Sequence, residues 1–452
     1  MFRHLVGRCY FWLTNYLPDK ETGDNAWYSV LDGMSYTVMV GLTQPFMNLY
    51  AMSLGASDPM LGFLSSWPAL VGLIAQVPSA IITERLRSIH RSLLSWAFVH
   101  RINYLIYALI PFLPVSGEEK AWLFIILVTW MNFPAVVVNS MWTQLMGKLF
   151  PGRERARVFA DRSYLTSIIT LLFLIIAGPI LDSIPFPYNY TTVFGIGFTA
   201  LMLSLFFLSK IKEKPSETAA VNTEPIPEGE ENPDHEEASP SLSRSPWSGM
   251  GAVLKDNPFL ALCFALFVMH IGFGFTSAMW TIFYRRQLML SSTEIARISI
   301  ISTTSSVIWY RFVPKVMDKL GSKGALLLGI TLFAPVPLAN SLATSESLWI
   351  IWLIAVIDGM AGSTYNLSFF NVILESAADE TNRPSYLAFV NLCTSLAGVI
   401  FPIVGMQVYT ALGSADVRPL FKISSLIRFS AVLLFFLILW QGNRKRRKLA
   451  AQ

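Results

Sequence analysis

Charge is scarce in this chain: 14% of its 452 residues are Asp, Glu, Lys or Arg, with 5 histidines and 3 cysteines. Cys9, Cys263 and Cys393 stand far apart, which excludes both a disulfide framework and a zinc spacing. The sequence has no H-E-x-x-H, no G-x-S-x-G, no paired intramembrane aspartates and no Gly-rich phosphate loop. These absences argue against an intramembrane enzyme and an ATP-driven pump, and no cofactor or metal is expected. What is abundant is apolar: 53% of the residues, with a mean hydropathy of +0.50. The apolar residues come in runs of about 20, long enough as helix to cross roughly 30 Å of hydrocarbon. Strict alternation over about ten residues, the signature of a membrane β-barrel, is not seen. The fold class is therefore an all-α polytopic membrane protein. The net charge of +5 is no nucleic-acid signal, because Lys and Arg gather in particular loops.

Twelve spans are expected, at 27–52, 59–82, 92–114, 120–145, 160–182, 189–210, 257–283, 293–313, 324–343, 348–374, 386–411 and 418–441. They divide the chain into two six-helix bundles, 27–210 and 256–441. Between these, 211–255 is rich in Glu, Pro and Ser and reads as a disordered linker. Residues 1–26 carry no cleavable signal, and 2–17 read as an amphipathic helix lying on the membrane face; 442–452 form a basic tail. Lys and Arg concentrate after helices 2, 4, 8 and 10, for example Arg87, Arg153, Arg162, Lys315 and Lys323. The positive-inside rule then places both termini and the linker in the cytoplasm. Short loops point to a bacterial inner membrane. Asn189-Tyr190-Thr191 would be a glycosylation acceptor only in a eukaryote.

The loop Val313–Lys323, V-P-K-V-M-D-K-L-G-S-K, repeats an earlier one 234 positions back, so Asp318-Lys319-Leu320 falls on Glu84-Arg85-Leu86. The same offset sets Tyr284, Leu288 and Ser291 on Tyr50, Leu54 and Ser57. This acid–base loop after helices 2 and 8, the twelve spans and the central linker resemble the major facilitator superfamily, over residues 27–441. Its loop motif is G-x-x-x-D-[RK]-x-G-[RK]-[RK]. The copy at Pro314–Lys323 has Pro314 in place of the first Gly and keeps Asp318, Lys319, Gly321 and Lys323. The earlier copy has Ala80, Glu84 and Arg87 at the Gly, Asp and second Gly positions. The resemblance implies that Glu84, Arg85, Asp318 and Lys319 latch neighbouring helices in the outward-facing state, with Arg155, Arg157, Glu375 and Arg383 as partners. The alternative is that these charges only set topology.

An ionisable group inside a span is a functional candidate. His270 and Asp358 lie near the middles of helices 7 and 10, which in the family fold line a central cavity with helices 1 and 4. A proton shared between them would couple transport to a proton gradient. Otherwise His270 is a neutral imidazole on a backbone carbonyl, and Asp358 pins a bend beside Gly359 and Gly362. Asp32 sits in L-D-G-M-S-Y-T-V, similar in part to a first-helix motif of drug–proton antiporters. Ala177-Gly178-Pro179-Ile180-Leu181-Asp182 lacks the closing glycines of their helix 5 motif, and Asp32 also reads as a solvated structural group near the interface. Candidate cavity residues are Gln44, Asn48, Asn132, Asn139, Trp142, Trp280, Asn366 and Asn371, a mix suited to a small polar or amphipathic solute, or to gluing helices together. Arg101 is expected to snorkel out of helix 3. Pro45, Pro134, Gly272, Gly274, Gly359 and Gly362 interrupt the cavity helices and permit bending. The function expected is a monomeric secondary transporter for a small molecule, with protons as coupling ion and export as direction. An uncoupled uniporter and a transporter-fold sensor are the alternatives.

Overall fold

The computed structural model describes residues 10–11, 14–84, 88–150, 152–213, 250–376 and 383–450. Its long helices follow the expected spans. In the first half, α1 runs as Lys20–Thr43, a 3₁₀ turn Gln44–Phe46 and Met47–Leu54. It is followed by α2 (Asp58–Glu84), α3 (Ile89–Leu109), α4 (Gly117–Leu149), α5 (Gly152–Ser183) and α6 (Tyr188–Ser209). In the second half, α7 runs as Asn257–Thr276, Met279–Ile282 and a π turn Phe283–Gln287. Then come α8 (Ser292–Tyr310), α9 (Val313–Phe333, continued by Val336–Asn340), α10 (Trp349–Ser376), α11 (Arg383–Ala411) and α12 (Arg418–Ala450). The starts of α2 and α8 are 234 positions apart, the offset of the sequence repeat.

Local chemistry sets the helix ends. Asp19 caps α1 by accepting the Thr22 N–H at 2.7 Å, and Ser116/Glu119 and Ser291/Glu294 form capping boxes on α4 and α8. Pro45 has no N–H to continue the α-helical ladder, and the chain tightens there into the 3₁₀ turn. The expected loop Val313–Lys323 proves to be helix on both sides of a kink at Gly321, whose φ of 71° and ψ of 167° suit only glycine. Among the described residues, ten helices are long and apolar enough to cross a membrane. The two expected spans outside that set, α1 and α8, are more polar, holding Asp24 and Asp32 in one and Glu294, Arg297 and a Ser/Thr run in the other. Large apolar side chains stand exposed around the bundle, among them Leu426 (72%), Trp349 (61%) and Phe264 (57%). Such a surface needs hydrocarbon around it, and the chain is an integral multi-pass membrane protein.

The two halves pack against each other through α2 on α11 and α5 on α8. The start of α1, the end of α12 and the described residues bordering 214–249 lie at one end of the bundle, here the terminal end; the opposite is the far end. One apolar core spans both halves at the far end, joining Leu54, Phe124 and Leu181 to Phe283, Leu290 and Tyr409. At the terminal end the core divides. Val30, Leu93, Leu145 and Leu208 form one cluster within the first half; Leu266, Leu326, Ile373 and Phe435 form another within the second. Hydrogen bonds between the halves follow the same pattern. Among the described residues they join Arg286 to Asp58 and the backbone N–H groups of Ser292 and Thr293 to Asp182, all at the far end. The halves are closed at the far end and part towards the terminal end.

Of the expected linker, 214–249 lies outside the described residues. Its first residues pack onto the first half: Ile211 is buried in that half's core, the Lys212 N–H donates to Asn25, and the Glu213 carboxylate accepts from Ser88 and His90. Most of the expected amphipathic segment 2–17 is likewise outside. Of what is described, Tyr10 donates to Asp24, and Tyr16 donates to Asp161 while lying under the Arg157 guanidinium at 3.8 Å. The Asn189 amide is buried and donates to Leu181 O, so this residue is no accessible glycosylation acceptor.

Candidate functional site

Among the cavities that the described residues line, one in each half holds buried charge. In the second half a cavity of about 500 Å³ is walled by α7, α8, α9, α10 and α12. Asp358 on α10 faces it and accepts from Ser302 Oγ of α8 at 3.0 Å. Arg428 of α12 faces it too, 3% exposed. Its Nη1 donates to Phe333 O at 3.2 Å and its Nη2 to Gly272 O at 3.3 Å, and the guanidinium lies 4.6 Å from the centre of the Phe273 ring. Asp358 and Arg428 share the cavity without forming an ion pair among the described residues. Gly272 makes this seat: a Cβ there would lie 2.6 Å from Arg428 Cγ.

The first-half cavity, about 320 Å³, is lined from α1, α3, α4, α5 and α6. Asp32 is buried, 4% exposed, rather than solvated near an interface. Its Oδ1 accepts from Ser204 Oγ at 2.6 Å and from Arg101 Nη2 at 3.3 Å, and its Oδ2 lies 3.8 Å from Arg162 Nη2. Arg101 does not snorkel; it is 4% exposed and held between Asp32 and Ser204. A guanidinium with a carboxylate within hydrogen-bond reach is better placed there than stretched to the helix end. Arg162, counted above with the loop charges, lies within α5 and reaches into the bundle.

The expected residues divide accordingly. Trp280 lines the second cavity and packs on Phe421 at 4.5 Å, whereas Asn139 and Trp142 line the first, sharing a face as their one-turn spacing requires. Asn132 and Asn371 donate to carbonyls one turn back in their own helices, Val128 O and Leu367 O. Gln44 and Asn366 are exposed and Asn48 is half-buried. His270 and Asp358 do not bond to each other. The His270 Nδ1 lies 2.9 Å from Leu266 O, so that nitrogen carries the proton, and the ring packs against Phe273 and Tyr365.

Of the latch set, Arg85 lies outside the described residues, as do the side chains of Glu84, Arg155 and Arg383. Asp318 and Lys319 make no hydrogen bond or ion pair among the described residues. Glu375 accepts from Ser322. Sequence reasoning missed Arg428, although the rule that singles out His270 applies to it: it is an arginine inside an apolar run. It also missed Ser204 and Ser302, because serine is common in membrane helices and a lone hydroxyl carries no signal.

The helices form two halves, joined at one end and parted at the other, with buried charge inside each half. The profile of the Major Facilitator Superfamily matches residues 30–378 and 262–452, and the chain belongs to that family. Among curated proteins none matches. Solved structures agree on the fold. A mutant of the nucleoside transporter NupG superposes with a TM-score of 0.70 at 13% identity, over 92% of this chain and 99% of that one. NupG itself gives 0.68 at 12% identity, over 93% and 99%. A bacterial homologue of the human lysosomal transporter Spinster, inward-facing and unoccupied, gives 0.64 at 14% identity, over 93% and 98%.

Proposed function

We propose that this protein is a secondary transporter that carries a small organic solute by alternating access, coupled to protons and acting in export. The observation that carries the reading is the arrangement of apolar cores, one across both halves at the far end and one in each half at the terminal end. Packed interfaces are bistable rather than continuously deformable, so rocking about the centre exchanges one closed end for the other. With the termini in the cytoplasm, as the Lys and Arg distribution indicates, the conformation is open inward.

Proton coupling is supported by Asp358, a cavity-facing carboxylate whose hydrogen-bond partner among the described residues is a single hydroxyl. A change in water access alters the stability of its charged form and hence its proton occupancy. Export follows from the similarity around Asp32 to drug–proton antiporters. One observation favours an uncoupled uniporter instead: His270 is satisfied by Leu266 O and does not touch Asp358.

The test is pH recording outside lightly buffered proteoliposomes while a panel of organic solutes is added. The expected outcome is that a solute moves protons with the wild type, whereas Asp358→Asn only exchanges it. His270→Ala separates the two readings of that residue, since a structural imidazole leaves coupling intact. Solute movement with no pH change in the wild type sinks the proton reading and leaves the uniporter.

A further inference from the structure

We propose that the first-half cavity is a carboxylate subsite centred on Arg162, and that the transported solute is a small aromatic carboxylate; this rests on the transporter reading above. The cavity holds two guanidinium groups against one carboxylate. Asp32 Oδ1 accepts from Ser204 Oγ at 2.6 Å and from Arg101 Nη2 at 3.3 Å, so its closer cation is Arg101, whose Nη1 is left without a hydrogen-bond partner among the described residues. Arg162 is the surplus cation. Its nearest approach to Asp32 is 3.8 Å, beyond hydrogen-bond reach, and its side chain is 22% exposed against 4% for Arg101. The other titratable groups lining the cavity are Tyr36 of α1 and His100 of α3, and neither is an anion at neutral pH. One carboxylate is thus divided between two cations inside a membrane bundle, and an anion bound at Arg162 relieves the shortfall.

The seat of Arg162 is built. Its Nε donates to Ser29 O at 3.1 Å, which orients the fork, and its guanidinium lies 4.5 Å from the centre of the Trp142 ring. On the α1 side Gly33 makes the room: a Cβ there would lie 2.8 Å from three atoms of the guanidinium group. A planar fork fixed in this way matches a carboxylate through two parallel hydrogen bonds. The walls select the rest of the solute. Tyr36 and His100 stack with ring centres 6.3 Å apart, and Trp142 adds an indole whose Nε1 has no hydrogen-bond partner among the described residues. A volume of about 320 Å³ suits a molecule of one or two rings.

The experiment is thermal unfolding of the purified, detergent-solubilised full chain with a panel of aromatic acids: benzoate, phenylacetate, phenylpropionate and indoleacetate. Each is paired with its neutral amide. At least one acid is expected to raise the unfolding temperature in a saturable way while its amide does not. Arg162→Gln and Gly33→Ala are expected to weaken that acid's half-saturation tenfold or more, and Arg162→Lys to weaken it less than Arg162→Gln. Elution as a single monodisperse species shows which variants remain folded, and if Arg162→Gln does not, Arg162→Lys and Gly33→Ala decide. Acids no better than their amides overturn the proposal. So does undiminished binding by the folded variants, or stabilisation by phosphatidylglycerol alone, which would assign the seat to a lipid headgroup. Because the readout is binding, an acid that binds but does not cross proteoliposomes overturns the transporter reading and leaves the subsite standing.

Discussion

Asp32 and Arg101 show how a membrane interior holds opposite charges. Each is almost fully buried, and each supplies what the other lacks. Replacing Asp32 by Asn keeps the shape and removes the charge, leaving Arg101 and Arg162 facing each other's field. The expected loss of stability is about 3–5 kcal/mol, read as a lower unfolding temperature in detergent. Asp32→Asn with Arg101→Gln recovers part of the loss, because the double change removes both members of the pair. The sequence marks Asp32 through its surroundings, yet its partner is not readable there. Arg101 lies 69 residues away in another helix, and which face of α3 turns inward depends on packing that no local pattern encodes. His270 is a different case, since one of its two sequence readings, an imidazole on its own helix's carbonyl, describes the contact observed.

At the scale of the helix, two features carry predictions. Gly321 adopts a conformation nearly closed to other residues, yet a Cβ there meets nothing within 4 Å. Gly321→Ala therefore costs through backbone strain alone, about 1–3 kcal/mol, checked by thermal unfolding. The second feature is the start of α8, where the Asp182 carboxylate accepts the N–H groups of Ser292 and Thr293, both at 2.8 Å. A carboxylate from the other half of the molecule thus joins the capping of this helix. Asp182→Ala removes about 0.5–2 kcal/mol from the far-end-closed form. Spin labels at Ser57 and Leu412, in far-end loops of opposite halves, are expected to report a larger share of long distances in that variant; an unchanged distribution refutes the latch. Helix positions were legible in the sequence because runs of apolar residues and their capping groups are local. The helical stretch Val313–Leu320 was not, because a run with Lys315, Asp318 and Lys319 resembles a loop unless its exposure at the end of the bundle is known.

For the whole molecule, the internal repeat made the two halves legible, since a unit of six helices recurs with one offset. The conformation was not. Which end is closed depends on contacts between halves, and these come from close approaches such as Gly178 of α5 against Thr293 of α8, and Gly62 of α2 against Met406 of α11. The charged cavities were half legible: their acids stand out in apolar runs, while the cavity walls are ordinary aliphatic and aromatic residues that any span contains.

The far-end contacts also differ in chemistry. One seam is closed by an ion pair between Asp58 and Arg286, whose side chains are 14% and 44% exposed; the other by a carboxylate on backbone N–H groups. Dissolved ions screen the first far more than the second, which is a short-range hydrogen-bonded cap. The starts of α2 and α8 are therefore held to the opposite half by two fasteners with different sensitivities to the medium. In brine the Asp58–Arg286 fastener between α2 and α7 slackens first while the Asp182 cap on α8 holds, as on a door with one of its two hinges slack.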